Sequence, residues 1–395
     1  MTDAAAHAAP PDDPVGRYLE VGLRLGRHLD GMVDAYYGPV ALAERVEAEP
    51  LRPLPALVDD VRSLVADLDA GDGDLDATRR RWLRAQCAGL HTAARKLAGE
   101  PVAFLDEVEQ CYGVRPAPVD HDVLAEAHRR LDAVLPGSGP LAARYDAWRS
   151  THIMTREQLT AAVHTLAEAF RDRTQRRFGL PDGEHVEFEL VTDEPWSGFN
   201  YYEGDLRSRV AINTDLPVSS TAIGHLIAHE AYPGHHTEHC RKEQLLVGGG
   251  GQQEQTIFLV NTPQCLMAEG LADHALHAAM GPDWPSWAQE IYADLGLRFD
   301  ADRAARVGKA TAGLLSVRQD AALLLHDQGR GEDEAAAFLQ RWLLATPERS
   351  RQMLRFLTSP LWRAYISTYV EGYRLLQTWL DVAGNDDDAR LRRFG

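Results

Sequence analysis

The chain has 395 residues, 45% of them hydrophobic and 25% charged, enough to bury a large core in one large domain or two intimate ones. Its 59 Asp and Glu outnumber 41 Lys and Arg, for a net charge of -18. That balance argues against nucleic acid or an anionic membrane surface as a partner, since both select a basic face. The opening "MTDAAAHAAPPDDPVG" lacks the basic and apolar regions of a signal peptide. No apolar run nears the roughly 20 residues of a spanning helix. Cys87, Cys111, Cys240 and Cys265 form no CxxC pair and read as free thiols. The expectation is a soluble cytoplasmic protein with no membrane partner.

Residues 1–13 read as a disordered tail and 14–183 as an N-terminal helical half. Apolar residues recur at three- and four-residue spacing over 15–33, 54–68, 78–98 and 121–135, with Pro and Gly punctuating between. A longer helix is expected over 155–179, with Thr155 as its N-cap. Residues 184–217 break the pattern and read as a small β insertion, a hairpin or meander built from "HVEFELV" and "SRVAINT". A C-terminal helical half, 218–395, completes what reads as one continuous domain, mainly α in class. Its helices are expected over 219–232, 257–281, 302–329, 332–346 and 361–384, and "VGGGGQQEQ" is a flexible break.

The stretch "HEAYPGHHTEHC", residues 229–240, carries the chemistry. In a zinc site of the HExxH kind, two histidines one helical turn apart hold the metal, and the glutamate beside the first serves as general base. His229 and Glu230 fit the first half of that pattern. Pro233 stands where the second histidine belongs, lacks an N–H, and ends or kinks the helix. On a straight helix a residue six positions on sits about 240° round the axis, so His235 reaches the metal only through a kink or a π-bulge. Other pairs four apart compete: His225 with His229, His235 with His239, and His236 with Cys240. A third ligand is available in "LMAEGLADHAL". There Glu269 and Asp273 share one face of an apolar helix, and an acid so placed is costly to bury unless paired or coordinated.

With "HEAYPGHH", then "AEGLADH" and a late "YISTYVEGYRLL", the chain resembles a large bacterial family known as a domain of unknown function, whose signature is HExxPGHH followed by an EG(W/L)A helix. The resemblance is sharpest over 197–280 and 310–375. It implies a gluzincin-like zinc metallopeptidase, distantly similar to Taq-type carboxypeptidases, with a large helical fold and a small sheet beside the active site. It implies His229, His235 and Glu269 as ligands of Zn2+ and Glu230 as general base. His225, His236 and Asp273 remain as alternative ligands or supporting groups. The chain departs from the family in being shorter than many members and in having Leu271 where an aromatic residue is common.

A hydrolytic site also needs a donor for the oxyanion that develops on the substrate. Tyr369 is the first candidate and Tyr365 the second, both in the segment that the resemblance places near the metal. Arg318, Arg351 and Arg374 are candidate anchors for a substrate, and His326 reads as a core histidine. "RVAINT" offers an edge for an extended peptide, and "SGFNYYEG" with "GGGG" a lid. No phosphate loop, GxGxxG or GxSxG is present. The expected activity is hydrolysis of a small peptide or amide substrate. The rivals are a metal-dependent lyase or tailoring enzyme and a helical binding protein.

Overall fold

The computed structural model describes residues 13–71, 74–384 and 386–395. The expected tail over 1–13 lies outside the described residues except for Asp13, which caps the first helix: its carboxylate accepts from the Gly16 N–H at 2.8 Å. Helix makes up 64% of the structure, and among the described residues the strands form two small sheets, so the fold is mainly α.

Long amphipathic stretches form helices close to where their periodicity puts them, at Leu54–Ala70, Ala77–Leu97, His121–Val134 and Arg156–Phe178. Thr155 caps the last of these in a capping box. Its hydroxyl accepts from the Gln158 N–H, and the Gln158 side chain accepts from the Thr155 N–H.

Two short strands correct the expected helices over 15–33 and 257–281. The first helix stops at Gly26, and Val33–Tyr36 forms β1. Ile257–Leu259 forms β5, antiparallel to β1, before a helix that starts with Pro263 at its first turn. All three β5 residues are buried, so no alternation distinguishes them from a helix start.

Residues 184–217 hold β2 (His185–Val191), β3 (Gly198–Gly204) and β4 (Arg207–Asn213) in the order β2-β4-β3. β3 and β4 form a hairpin that turns at Asp205 and Leu206, both at positive φ. β2 adds parallel to β4, so the sheet is not a meander. β4 is central and offers no edge to a peptide. The expected lid "SGFNYYEG" is β3 itself, paired along β4.

The helix Pro263–Met280 sits at the seam between two hydrophobic clusters. Its Cys265, Leu266 and Ala268 pack with Tyr18, Leu90 and Tyr112, residues of the N-terminal helices. Its Ala275, Leu276 and Ala279 pack with Phe170, Ile212 and Ile227. Glu269 and Asp273 stand between these two runs, where the helix passes the motif helix Ser220–Glu230.

Candidate metal centre

The motif helix is capped by Ser219 and ends at Glu230. The chain turns through Ala231, a cis Tyr232–Pro233 bond and Gly234, then restarts as the helix His235–Arg241. The Gly234 N–H donates to the carbonyl of Ala228 at 2.9 Å. A Cβ on Gly234 would lie 1.8 Å from the carbonyl oxygen of His229, so only glycine allows the chain to fold back this closely. The expected kink is thus a full helix break, and it carries His235 round to face His229 with ring centroids 4.8 Å apart.

Across from them lies Glu269. His229 Nε2 is 3.2 Å from Glu269 Oε2, and His235 Nε2 is 3.4 Å from Glu269 Oε1. One donor atom from each of the three residues lies within 4.8 Å of the others, close enough to hold a single metal ion. Glu269 Oε2 is buried with no hydrogen-bond partner among the described residues, a costly state that a cation would relieve. Two imidazoles and a carboxylate with open geometry suit zinc.

Supporting groups fix these donors. Asp273 Oδ1 lies 3.1 Å from His229 Nδ1, which leaves Nε2 of that ring as the free donor. The Tyr365 hydroxyl donates to Glu269 Oε1 at 2.6 Å. Tyr365 comes that close because Gly270 and Gly372 cross at the backbone. A Cβ on Gly372 would stand 2.3 Å from the Leu266 carbonyl oxygen, and one on Gly270 2.6 Å from that of Gly372. Just before this crossing, Thr368–Gly372 form a π-helical turn, an irregularity frequent at functional sites.

The electrostatics have one theme. Burial works against the charged form of all three donors, yet His229 and His235 are raised by the carboxylates around them, and Glu269 is lowered to about 2 by the two histidines. Glu230 is buried, and burial raises its carboxyl above the ordinary range while the neighbouring histidines oppose this. A raised carboxylate is suited to taking a proton near neutral pH.

Two cavities meet at this centre and share Trp196, Gly198, His229, Glu230, Phe356 and Tyr369. The inner chamber is about 40 Å³, walled by Phe199, Phe258, Trp362 and Tyr365, with Asp34, Asn200 and His239 also lining it. The outer groove, about 370 Å³, carries His225, Arg318 and Arg349.

The sequence-expected residues divide accordingly. His229, Glu230, His235, Glu269 and Tyr369 line the chamber, as does Tyr365, whose hydroxyl is committed to Glu269. Tyr369 makes no side-chain hydrogen bond among the described residues, and Arg318 lies over its ring at 5.7 Å. His225 is half-exposed at the groove, 3.4 Å from Asp273, and with His229 and Asp273 forms a second group able to hold a metal. His236 is turned away from the centre. It lies 2.9 Å from Glu184 and 2.8 Å from the Ser208 hydroxyl, which corrects its reading as an alternative ligand. Arg351 pairs with Glu348 and Arg374 with Glu371, and neither lines a site cavity. His326 bonds the Leu357 carbonyl and packs on Phe104, a satisfied core histidine. Asp34, Asn200, Trp196 and Arg349 have no signal in the sequence pattern. They reach the site from β1, from β3 and its approach, and from the helix Pro347–Thr358.

No family model and no curated protein matches the chain. Among solved structures it is similar to a protein from Colwellia psychrerythraea provisionally described as a lipoprotein, at 15% identity and a TM-score of 0.49 over 86% of this chain and 66% of that one. A second protein so described, of unknown function and from Shewanella oneidensis, is similar at 13% identity and 0.46 over 97% and 82%. An M32 carboxypeptidase from Deinococcus radiodurans R1 is similar at 15% identity and 0.41 over 96% and 87%. At such identities and scores these likenesses carry no argument about the reaction. The chain spans just under two thirds of the length of the Colwellia protein. The expectation of a cytoplasmic protein is corrected here: two of the similar structures are of proteins provisionally described as lipoproteins, and that expectation is not retained. Among the described residues no helix is long and apolar enough to cross a membrane.

Proposed function

We propose that the chain is a zinc-dependent hydrolase of peptide or amide bonds. The observation that carries this reading is the convergence of His229, His235 and Glu269 on one point, with Glu230 lining the same chamber. Zinc bound by those three residues would supply Lewis-acid activation of the substrate carbonyl and of water.

The other steps belong to the chain's own side chains. Glu230, buried and raised, accepts the proton of the attacking water and returns it to the leaving nitrogen. The Tyr369 hydroxyl, free of other partners, donates to the oxyanion. Asp273 and Tyr365 act through the ligands they bond and keep His229 and Glu269 in position. Arg318 and Arg349 line the outer groove without a carboxylate partner among the described residues, and suit a carboxylate of a short substrate. Exclusion of bulk water from the chamber by Trp196, Phe356 and Trp362 strengthens each of these interactions.

Incubation with unblocked short peptides in oxygen-labelled water tests the reading. The expected result is one zinc per chain, label in the product carboxylate, and turnover lowered roughly 1,000-fold in Glu230→Gln with zinc retained. Turnover without label would make the protein a lyase. A protein without zinc, or one indifferent to His229→Ala, would be a binding protein.

A further inference from the structure

Besides Glu269 Oε2, which faces the proposed metal, two acceptor atoms in the inner chamber have no partner among the described residues: Asp34 Oδ1 and Asn200 Oδ1. Asn200 is only 6% exposed, and its Nδ2 donates to the Glu230 carbonyl at 2.7 Å. That bond fixes the amide, so the atom left over is an oxygen and can only accept. Asp34 arrives from β1 and Asn200 from β3, strands that pack together beside the metal centre. Two buried acceptors with nothing to accept from are costly to keep unless a ligand supplies the protons.

The chamber narrows the ligand's chemistry. Against Asp34 and Asn200 an anion or a carbonyl would set acceptors against acceptors. The ligand has to donate more than one hydrogen bond, and a positive charge suits Asp34, the chamber carboxylate that is neither a proposed metal ligand nor the base. About 40 Å³, part of it given to the metal that His229, His235 and Glu269 would hold, leaves room for one small group and none for a guanidinium or a ring. Phe199, Phe258 and Trp362 add aromatic walls, which favour a cation.

We propose that this chamber is a subsite for a protonated primary amine of the substrate, held by Asp34 and by the amide oxygen of Asn200. The inference rests on the hydrolase reading and gives it a substrate class: short peptides with a free ammonium near the bond that is cleaved. The ammonium can come from an amino terminus or from a lysine-like side chain.

The test is calorimetric binding to zinc-loaded Glu230→Gln protein, which reports binding without turnover. Alanyl-phenylalanine is expected to bind about tenfold more tightly than its N-acetyl form, the size of one charge-assisted hydrogen bond. Adding Asp34→Asn should bring the two affinities together while the melting temperature stays at or above that of the parent. Nα-acetyl-lysyl-phenylalanine separates the sources: tight binding assigns the chamber to a side-chain ammonium, weak binding to an amino terminus. Equal affinity for free and acetylated peptides in the parent, the result if the acceptors are merely hydrated, overturns the proposal without any further variant. So does a preference that survives Asp34→Asn. Absence of turnover in the zinc-loaded wild-type protein, by contrast, would defeat the hydrolase reading and leave the amine preference standing.

Discussion

Two buried histidine–glutamate clusters grow from the same eight residues, His229 to His236, and they differ in how far their polar atoms are satisfied. In one, Glu184 bonds Arg171 through Oε1, and bonds the Tyr232 hydroxyl and His236 through Oε2. His236 completes it with the Ser208 hydroxyl, so both of its nitrogens are used. In the other, Glu269 Oε2, Asp34 Oδ1 and Asn200 Oδ1 are buried without partners around His229 and His235. Burial of a polar group is costly unless it is paired, so the closed network reads as structure and the open one as a site for something that binds. Adjacent histidines, 235 and 236, thereby serve opposite ends.

That contrast can be broken in order of expected effect. Removing charge from the closed cluster should unfold the protein before it affects the metal. Glu184→Gln is expected to lower stability by about 3 kcal/mol in urea denaturation while zinc content stays at one per chain. Loss of zinc at unchanged stability would mean that the two clusters have been assigned the wrong way round. Asp273→Asn touches the open cluster only through His229. It should weaken zinc binding roughly 10- to 100-fold in competition with a chelator, at little change in fold. An unchanged affinity would remove Asp273 from its positioning role.

Asp34 gives the smallest effect and a pH signature. Burial pushes its carboxyl up to about 7, with His235 opposing this and Glu269 and Glu230 adding to it. The folded, zinc-stripped protein thus holds a proton there more firmly than the unfolded chain does, and stability falls as pH rises from about 4 to 7. Asp34→Asn should abolish that fall: unchanged stability at pH 4, and a gain of about 1 kcal/mol at pH 8, given that the side chain is partly exposed. Parallel pH curves for the two proteins would contradict it.

The sequence made part of this centre legible. The string from His229 to His236 contains both histidines and a proline that cannot continue a helix, and Glu269 and Asp273 show their common face by being four apart. Those features are local, and local features are what spacing reports. The fold class was legible for the same reason, in long helices with regular apolar periods. Asp34 and Asn200 were not. β1 is four residues long and pairs with β5 more than 200 residues away, a contact no periodicity announces. β3 was mistaken for a lid because its aromatic, glycine-flanked sequence "GFNYYEG" has no clean alternation, although it pairs along β4. Six helices of twelve residues or fewer, among them Pro347–Thr358 with Arg349, also went unread, since two or three turns give too few repeats to establish a period.

The helix break after Glu230 is expected to transfer metal binding from the His225–His229 face to His229 and His235. Anomalous scattering at the zinc edge from zinc-soaked crystals tests it most directly. A single peak bounded by His229 Nε2, His235 Nε2 and Glu269 is expected. A peak on His225, His229 Nδ1 and Asp273, the other group able to hold an ion, or no peak at all, would contradict it.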